Sequence, residues 1–382
     1  MATKSIAVVL GTRPEIIKLA PVIRELGERA WVIHTGQHYD AKMSGQFFEQ
    51  FGIGAPDVIL EGIGGANRGT QISAALQALT DLFLKNRPSA VIVQGDTNAV
   101  SAGAQAANYL GIPLIHVEAG LRSYDRAMPE ELNRLVVGAL ADVHCAATDL
   151  NARNLLGEGV DPARVIVTGN TVVEATLASL EQGDGMIGRH FPSGIAPEKF
   201  VLATIHRPEN TDSPDALERV LRGLTAIELP VVLLTHPRTR LAAERFGLTD
   251  FFDELHAIES VGHSELLDLA QAATLLVSDS GGLQEETTVL GKPLLVVRRS
   301  TERPEAVDAG FARLITPDKN IAREAAEVLE NNGFGTDLRT AQSPYGDGTA
   351  SRTIATIAAH IDNGHAPAQA IALVEASHDL AA

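Results

Sequence analysis

Short apolar runs alternate with longer segments of helical spacing along most of the chain, and that rhythm leaves few folds open. Residues 8–10 close a first apolar run, and 14–26 follow with apolar positions at helical spacing. Further apolar runs at 31–34, 90–94, 114–117, 143–146 and 165–168 read as strands with helical segments between them. Strands joined by helix-length connections pair in parallel, so the expected fold class is α/β with doubly wound sheets. The rhythm breaks over 179–199, which is rich in Gly and Pro and has no period, and then restarts with runs at 200–204, 231–234, 255–258, 274–277 and 294–297. Two Rossmann-like domains are therefore expected, drawn as 1–170 and 171–349 with the boundary near 170–200. A late helix over 350–361 could join either domain, and the Ala-rich stretch 366–382 is left unassigned.

A chain of 382 residues is too long for one ordinary core, and with 45% hydrophobic and 21% charged residues each half can bury its own. No stretch is apolar for long enough to cross a bilayer, and no signal-peptide pattern stands at the amino terminus. The single cysteine, Cys145, rules out an intrachain disulfide and reads as a small buried hydrophobe rather than a nucleophile. A cytoplasmic protein is expected. The net charge of −17 argues against nucleic-acid or anionic-membrane partners, though a locally basic cleft could still hold an anionic small molecule. With 4% aromatic residues there is no stacking platform for single strands.

Ligands of open α/β sheets bind at the carboxyl ends of the strands, and nearly every unusual polar cluster falls there. In the first half these are Gly11-Thr12-Arg13-Pro14-Glu15, Gly95-Asp96-Thr97 and Glu118-Ala119-Gly120-Leu121-Arg122. In the second half they are His206-Arg207-Pro208-Glu209, Thr235-His236-Pro237-Arg238 and Asp279-Ser280-Gly281-Gly282. Ser280, Gly281 and Gly282 precede a helical run, where two glycines admit a ligand close to the backbone and the free N–H groups favour phosphate. The same triplet also serves ordinary strand-to-helix turns. Glu286, one turn on, could bond ribose hydroxyls, and Arg303 before Pro304 could meet a diphosphate or the sugar. No G-x-G-x-x-G fingerprint stands between a strand and a helix, the one match, Gly183 to Gly188, falling in the aperiodic stretch 179–199, and no G-x-x-x-x-G-K-[ST] occurs, which disfavours NAD and ATP.

Arg13 and Lys18 open the first helix behind Pro14, where they could face a substrate or merely solvent. Asp96 and Glu118 follow adjacent strands, so their side chains could meet. Glu130 and Glu131 follow Pro129 at a helix start, where the helix dipole alone would favour a carboxylate. Of the 12 histidines, His206 and His236 stand out beside Arg-Pro and Pro-Arg pairs, while His116 reads as a core histidine. No H-E-x-x-H motif or cysteine cluster suggests a metal.

The runs Gly11 to Lys18, Gly95 to Thr97, His116 to Arg122, Pro129 to Arg134, Thr168-Gly169-Asn170-Thr171, Asp279 to Glu286, Gly291-Lys292-Pro293, Thr301 to Ala306 and Pro344 to Gly348 resemble the non-hydrolysing UDP-N-acetylglucosamine 2-epimerases over roughly residues 5–360. The resemblance implies a GT-B-like pair of Rossmann-like domains facing across a cleft, a homodimer, a UDP-sugar substrate and no cofactor. It implies Asp96, Glu118 and Glu130 as catalytic carboxylates, with the assignment of base and acid open. His206 would contact the diphosphate or pass a proton. Arg13, Lys18, Ser280, Gly281, Gly282, Glu286 and Arg303 would bind UDP, and His236 is placed with this substrate-binding set. The sequence departs from the family in the interval between Glu118 and Glu130, shorter than in many bacterial members. It departs also at Leu266, where a base-packing aromatic often stands. Gln37 and His38 stand where some bacterial members bind a second, activating substrate molecule. The competing readings are an epimerase of a modified UDP-sugar, a hydrolysing epimerase, a GT-B glycosyltransferase and a non-catalytic nucleotide-sugar-binding protein.

Overall fold

The computed structural model describes residues 4–37, 45, 48–191, 198–330, 334 and 337–379, so His38 lies outside the described residues. The apolar runs form two all-parallel sheets. The first holds β1 (Ile6–Leu10), β2 (Ala30–His34), β3 (Val58–Ile59), β4 (Ala90–Gln94), β5 (Leu114–Ala119), β6 (Val143–Ala146) and β7 (Val165–Val167), in the order β3-β2-β1-β4-β5-β6-β7. The second holds β8 (Val201–Ile205), β9 (Val231–Thr235), β10 (Ile258–Glu259), β11 (Leu275–Ser278), β12 (Leu294–Val297) and β13 (Ala312–Ile315), in the order β10-β9-β8-β11-β12-β13. Each sheet reverses its winding once, between β1 and β4 and between β8 and β11. At such a switch point the flanking helices leave on opposite faces and a crevice opens outside the strand ends.

The chain divides into two units, Met1–Ala175 with Tyr345–Ala382, and Thr176–Pro344. In the first, alternation along the central strand separates two cores. Ile6, Val8 and Leu10 pack with Leu19 and Val22 of the helix Arg13–Leu26. Ala7 and Val9 pack on the opposite face, with Leu79 and Phe83 of the helix Arg68–Lys85 and Val100 and Ala104 of the helix Asn98–Tyr109. The late helix, Ala350–Asp362, belongs to this unit: Ile354, Ile357, Ala358 and Ile361 recur at helical spacing and join the first of these cores. A further helix, Pro367–Asp379, occupies the unassigned Ala-rich stretch and seats Ala370, Ile371 and Val374 there too. In the second unit, Val201, Ala203 and Ile205 of β8 pack with Leu217, Val220, Leu221 and Leu224 of the helix Pro214–Thr225.

The strand expected over 255–258 is shorter and later. Leu255 caps the helix Phe251–Glu254, His256 takes a positive φ of 41°, and only Ile258 and Glu259 pair with β9. β3 and β13 carry no apolar run that would announce them. β3 is a two-residue edge, and Arg313 interrupts β13.

Candidate active site

In the first unit, the carboxyl ends of β1, β4 and β5 bring Glu15, Asp96 and Glu118 to one sheet edge. Glu118 does not follow β5 but lies inside it, at a bulge where the pairing with β6 slips between Val117 and Ala119. Its φ is 62°, a left-handed conformation that a glutamate adopts only at a cost of order 1–3 kcal/mol. A bulge of this kind re-aims a side chain. Here the Glu118 carboxylate is buried, and its Oε2 receives an ion pair from the buried Lys18, a bond from Gln94 Nε2 at 3.0 Å and one from Asn170 Nδ2 at 3.3 Å. Lys18 thus stands directly against a carboxylate that the family resemblance leads one to expect in catalysis. Arg13 opens the same helix, half-buried.

Asp96 is held differently. Arg134 donates to its Oδ2 from Nε at 2.9 Å and from Nη2 at 2.5 Å, and Asn133 Nδ2 donates to its backbone carbonyl at 2.7 Å. Both guanidinium bonds go to one oxygen, so the half-buried carboxylate keeps Oδ1 for another partner. The two glutamates at the start of the helix Pro129–Leu140 divide. Glu131 is buried and accepts from the N–H groups of Ser123 and Tyr124 and from Arg134. Burial would raise its carboxyl, but the Ser123 N–H and the Arg134 guanidinium outweigh it and hold the group below its ordinary range. Glu130 is exposed on the same turn and is not drawn into the cluster around Glu118.

Glu15 has no role that the sequence pattern announces. It is buried, accepting from Gly11 N at 3.1 Å, Thr12 Oγ1 at 2.8 Å and Thr97 Oγ1 at 3.0 Å, and so ties the turn after β1 to the turn after β4. Burial pushes its carboxyl up to about 7, against these hydrogen bonds. His116 is the core histidine expected: Nε2 meets Gly95 O at 2.8 Å, and burial lowers the ring to about 4. Burial pushes the Cys145 thiol up to about 12, which removes it as a nucleophile near neutrality. Gln37 is buried with Oε1 accepting from Ala99 N at 3.0 Å, an N-terminal amide of the helix Asn98–Tyr109.

In the second unit the organising group is Asp279, fully buried after β11. Its carboxylate accepts from the backbone N–H groups of His206 and Arg207 at 3.0 and 2.8 Å and from Asn210 Nδ2 at 2.8 Å. His206 Nδ1 lies 3.1 Å from its Oδ1. At that distance the carboxylate charge favours a protonated ring. Burial lowers the His206 pKa, opposed by Asp279 and aided by the neighbouring His236, whose ring centroid is 5.2 Å away. His236 caps the helix Pro237–Phe246, its Nδ1 accepting from Arg238 N at 3.1 Å.

Ser280 caps the helix Gly281–Leu290, accepting from Leu283 N. A Cβ on Gly281 would stand 2.9 Å from Arg303 Nη1 and 3.5 Å from Arg207 Nη2, so two guanidiniums lie against this glycine and the helix N-terminus. Gly282 has open space around its Cα. Arg303 is oriented by Glu285 Oε1, 2.8 Å from its Nε. Nearby, Glu302 would be raised by burial, but the Arg298 hydrogen bond and the charges of Arg303 and Arg298 hold it at about 2. Arg207, which received no role from the sequence, is half-buried, and burial together with the charge of Arg298 lowers its pKa. Arg303 is paired with Glu285 and Arg298 with Glu302, and a helix N-terminus flanked by these guanidiniums and by Arg207 is suited to an anion. Glu286 is buried one turn further on.

Five side chains that complete these two sets, Gln94, Arg134, Asn170, Arg207 and Asp279, went unassigned. Gln94, Asn170, Arg207 and Asp279 lie at or just after strand ends, where position at a carboxyl edge is the signal; Arg134 sits in the helix Pro129–Leu140, where that signal does not reach. Among the described residues no group of three or more His, Cys, Asp or Glu is placed to hold a metal ion.

Two parallel sheets of Rossmann order, each with its polar residues at the switch point, define a GT-B-like protein. A solved structure of a Methanocaldococcus jannaschii UDP-GlcNAc 2-epimerase in complex with UDP-GlcNAc and UDP matches it with a TM-score of 0.82 at 36% identity, covering 93% of this chain and 99% of that one. The family model for UDP-N-acetylglucosamine 2-epimerase matches residues 24–359. A UDP-N-acetylglucosamine 2-epimerase of Methanococcus maripaludis is 39% identical over 92% of this chain and 97% of its own length. A UDP-2,3-diacetamido-2,3-dideoxy-D-glucuronate 2-epimerase of Pseudomonas aeruginosa is 37% identical over 92% and 98%. The chain belongs to the UDP-N-acetylglucosamine 2-epimerase family.

Proposed function

We propose that this chain interconverts UDP-N-acetylglucosamine and UDP-N-acetylmannosamine without hydrolysis. The proton on carbon 2 has no adjacent carbonyl, so direct deprotonation near neutrality is out of reach. Expulsion of UDP from carbon 1 with loss of the carbon 2 proton gives 2-acetamidoglucal and avoids that barrier. Re-addition of UDP, with a proton delivered to the other face of carbon 2, completes the inversion. Such a route needs cations and N–H donors for the departing diphosphate, carboxylates to move a proton and steady an oxocarbenium-like charge, and retention of both intermediates.

The observation that carries the reading is the Glu118 carboxylate, buried on a bulged strand end with Lys18, Gln94 and Asn170 on one oxygen. In the proposal Asp96, Glu118 and Glu130, from the domain drawn as 1–170, move the proton and steady the charge. The domain drawn as 171–349 binds UDP through Ser280, Gly281, Gly282, Glu286, Arg303 and His236, with Arg13 and Lys18 completing the cationic set. His206 contacts the diphosphate or passes a proton, a role that suits a ring set 3.1 Å from the buried Asp279 carboxylate. The proposal includes a cytoplasmic homodimer that needs no cofactor; among the described residues no helix is long and apolar enough to cross a membrane.

The test is incubation with UDP-N-acetylglucosamine in deuterated water, followed by NMR. UDP-N-acetylmannosamine with deuterium at carbon 2 and little free UDP is the expected outcome. Accumulation of UDP with free sugar would replace the proposal by a hydrolysing reaction. The Pseudomonas relative, at 37% identity, favours one second reading, a modified UDP-acetamido sugar as substrate. Exchange with a diacetamido uronate and none with UDP-N-acetylglucosamine would establish it.

A further inference from the structure

Glu286 does not stand alone on its helix. Its Oε1 lies 2.8 Å from Nε2 of His263, and the Nδ1 of that ring lies 3.0 Å from Ser179 Oγ. Ser179 has no exposed surface, and His263 and Glu286 are each 8% exposed. A carboxylate only accepts, so Nε2 carries the proton, and Nδ1 then accepts from the Ser179 hydroxyl. The three side chains come from three helices, Val172–Glu181, His263–Ala272 and Gly281–Leu290. The set resembles a hydrolytic triad only in composition. The serine is enclosed, and serine and carboxylate sit on the opposite nitrogens from those a nucleophilic triad requires.

What this arrangement does is fix one carboxylate oxygen and, with it, the rotamer of Glu286, while Oε2 keeps no protein partner among the described residues. A histidine whose tautomer is set by a second hydrogen bond is a means of orienting a group that meets a ligand. Glu286 lies one turn beyond the Ser280-Gly281-Gly282 start, on the helix whose N-terminus is suited to a phosphate.

We propose that His263, with its tautomer set by Ser179, is a positioning residue that aims Glu286 at the ribose hydroxyls of the uridine nucleotide and so governs ribose recognition. This rests on the reading of Glu286 as a ribose contact. A buried polar relay that orients a charged acceptor contributes discrimination for the hydroxyls it meets and none for a ligand lacking them.

The experiment measures dissociation constants for UDP and 2′,3′-dideoxy-UDP, with KM and kcat for the UDP-sugar, on the full chain. His263→Asn retains a partner for Ser179 but does not reach Glu286. It should weaken UDP binding about tenfold and raise KM, with kcat within about twofold and dideoxy-UDP affinity unchanged. His263→Gln, whose amide nitrogen reaches the Nε2 position, should recover UDP affinity to within about threefold of wild type. UDP affinity unchanged in His263→Asn, or equal losses for both nucleotides, overturns the proposal. Glu286→Ala separates the two layers. If it too leaves UDP and dideoxy-UDP unaffected, the ribose reading itself falls and takes the relay with it. If it weakens UDP alone while His263→Asn does not, the relay alone falls. Should His263→Asn fail to fold, Ser179→Ala decides: a loss of about threefold or more confined to UDP supports the relay, and no loss overturns it.

Discussion

Two residues show how the site can be tested without dismantling it. Asp96 is anchored through one oxygen by Nε and Nη2 of Arg134, so an amide in its place keeps the anchor and loses only the charge and basicity of the other oxygen. Asp96→Asn should lower kcat by at least about a hundredfold and leave UDP affinity within about tenfold. Full turnover by a folded Asp96→Asn protein would remove this carboxylate from the mechanism. Arg303 belongs to the other half of the problem. It lies beside Gly281 at the helix start and is oriented by Glu285. Arg303→Ala should weaken UDP binding by about tenfold or more, and Arg303→Lys should recover only part of it, because a point charge lacks the guanidinium fork. Calorimetric titration with UDP checks both, and an unaltered affinity would contradict the assignment.

At the scale of elements, the bulge in β5 is the feature on which the carboxylate cluster depends. Gly120 follows it with a φ of 85°, and a Cβ there would lie 2.2 Å from Asn151 O and 2.7 Å from Asn151 C in the helix Asp149–Gly157. That helix is backbone and cannot swing aside. Gly120→Ala should therefore cost more than about 2 kcal/mol and reduce kcat by displacing the end of β5, whereas Gly157→Ala, in open space on the same helix, should be nearly neutral. Thermal melting and turnover of the two variants check this, and equal effects would detach the bulge from the site. The bulge also marks where sequence reading stops. Periodicity exposes strands buried on both faces and the polar residues that end them, which is why Asp96, Ser280 and His206 could be placed at strand ends. It says nothing of a strand that continues through a polar residue in a left-handed conformation, as at Glu118. Nor could it say which glutamate after Pro129 turns inward. The N–H groups of Ser123 and Tyr124 select Glu131, and they belong to a loop with no period of its own. β13 was hidden for a related reason, since Arg313 sits mid-strand at the sheet margin, with Glu324 and Glu327 for partners.

For the molecule as a whole, buried titratable groups outside any proposed proton transfer write its stability against pH. Glu15 is raised from 4.5 to about 7, so the folded chain holds a proton that the unfolded chain has already released. Stability from this group is fully present below pH 4.5 and is lost as pH rises through about 7, to the extent of about 3 kcal/mol. His116 and His144 act in the opposite sense. Burial lowers them from 6.5 to about 4 and about 3, so the unfolded chain takes up protons first and stability is lost as pH falls below 6.5. The two trends overlap, and the melting temperature of the wild-type chain alone does not resolve them. Glu15→Gln does, because the amide mimics the protonated carboxyl and cannot ionise, while both histidines remain. At pH 4.5 the variant should melt close to wild type. Between pH 5 and 8 its advantage should grow to several degrees, the shift that about 3 kcal/mol gives in a unit of this size. A constant difference across that range would show that Glu15 ionises in the folded chain much as it does in water. The turns after β1 and β4 would then be held together by a charged carboxylate rather than a neutral one.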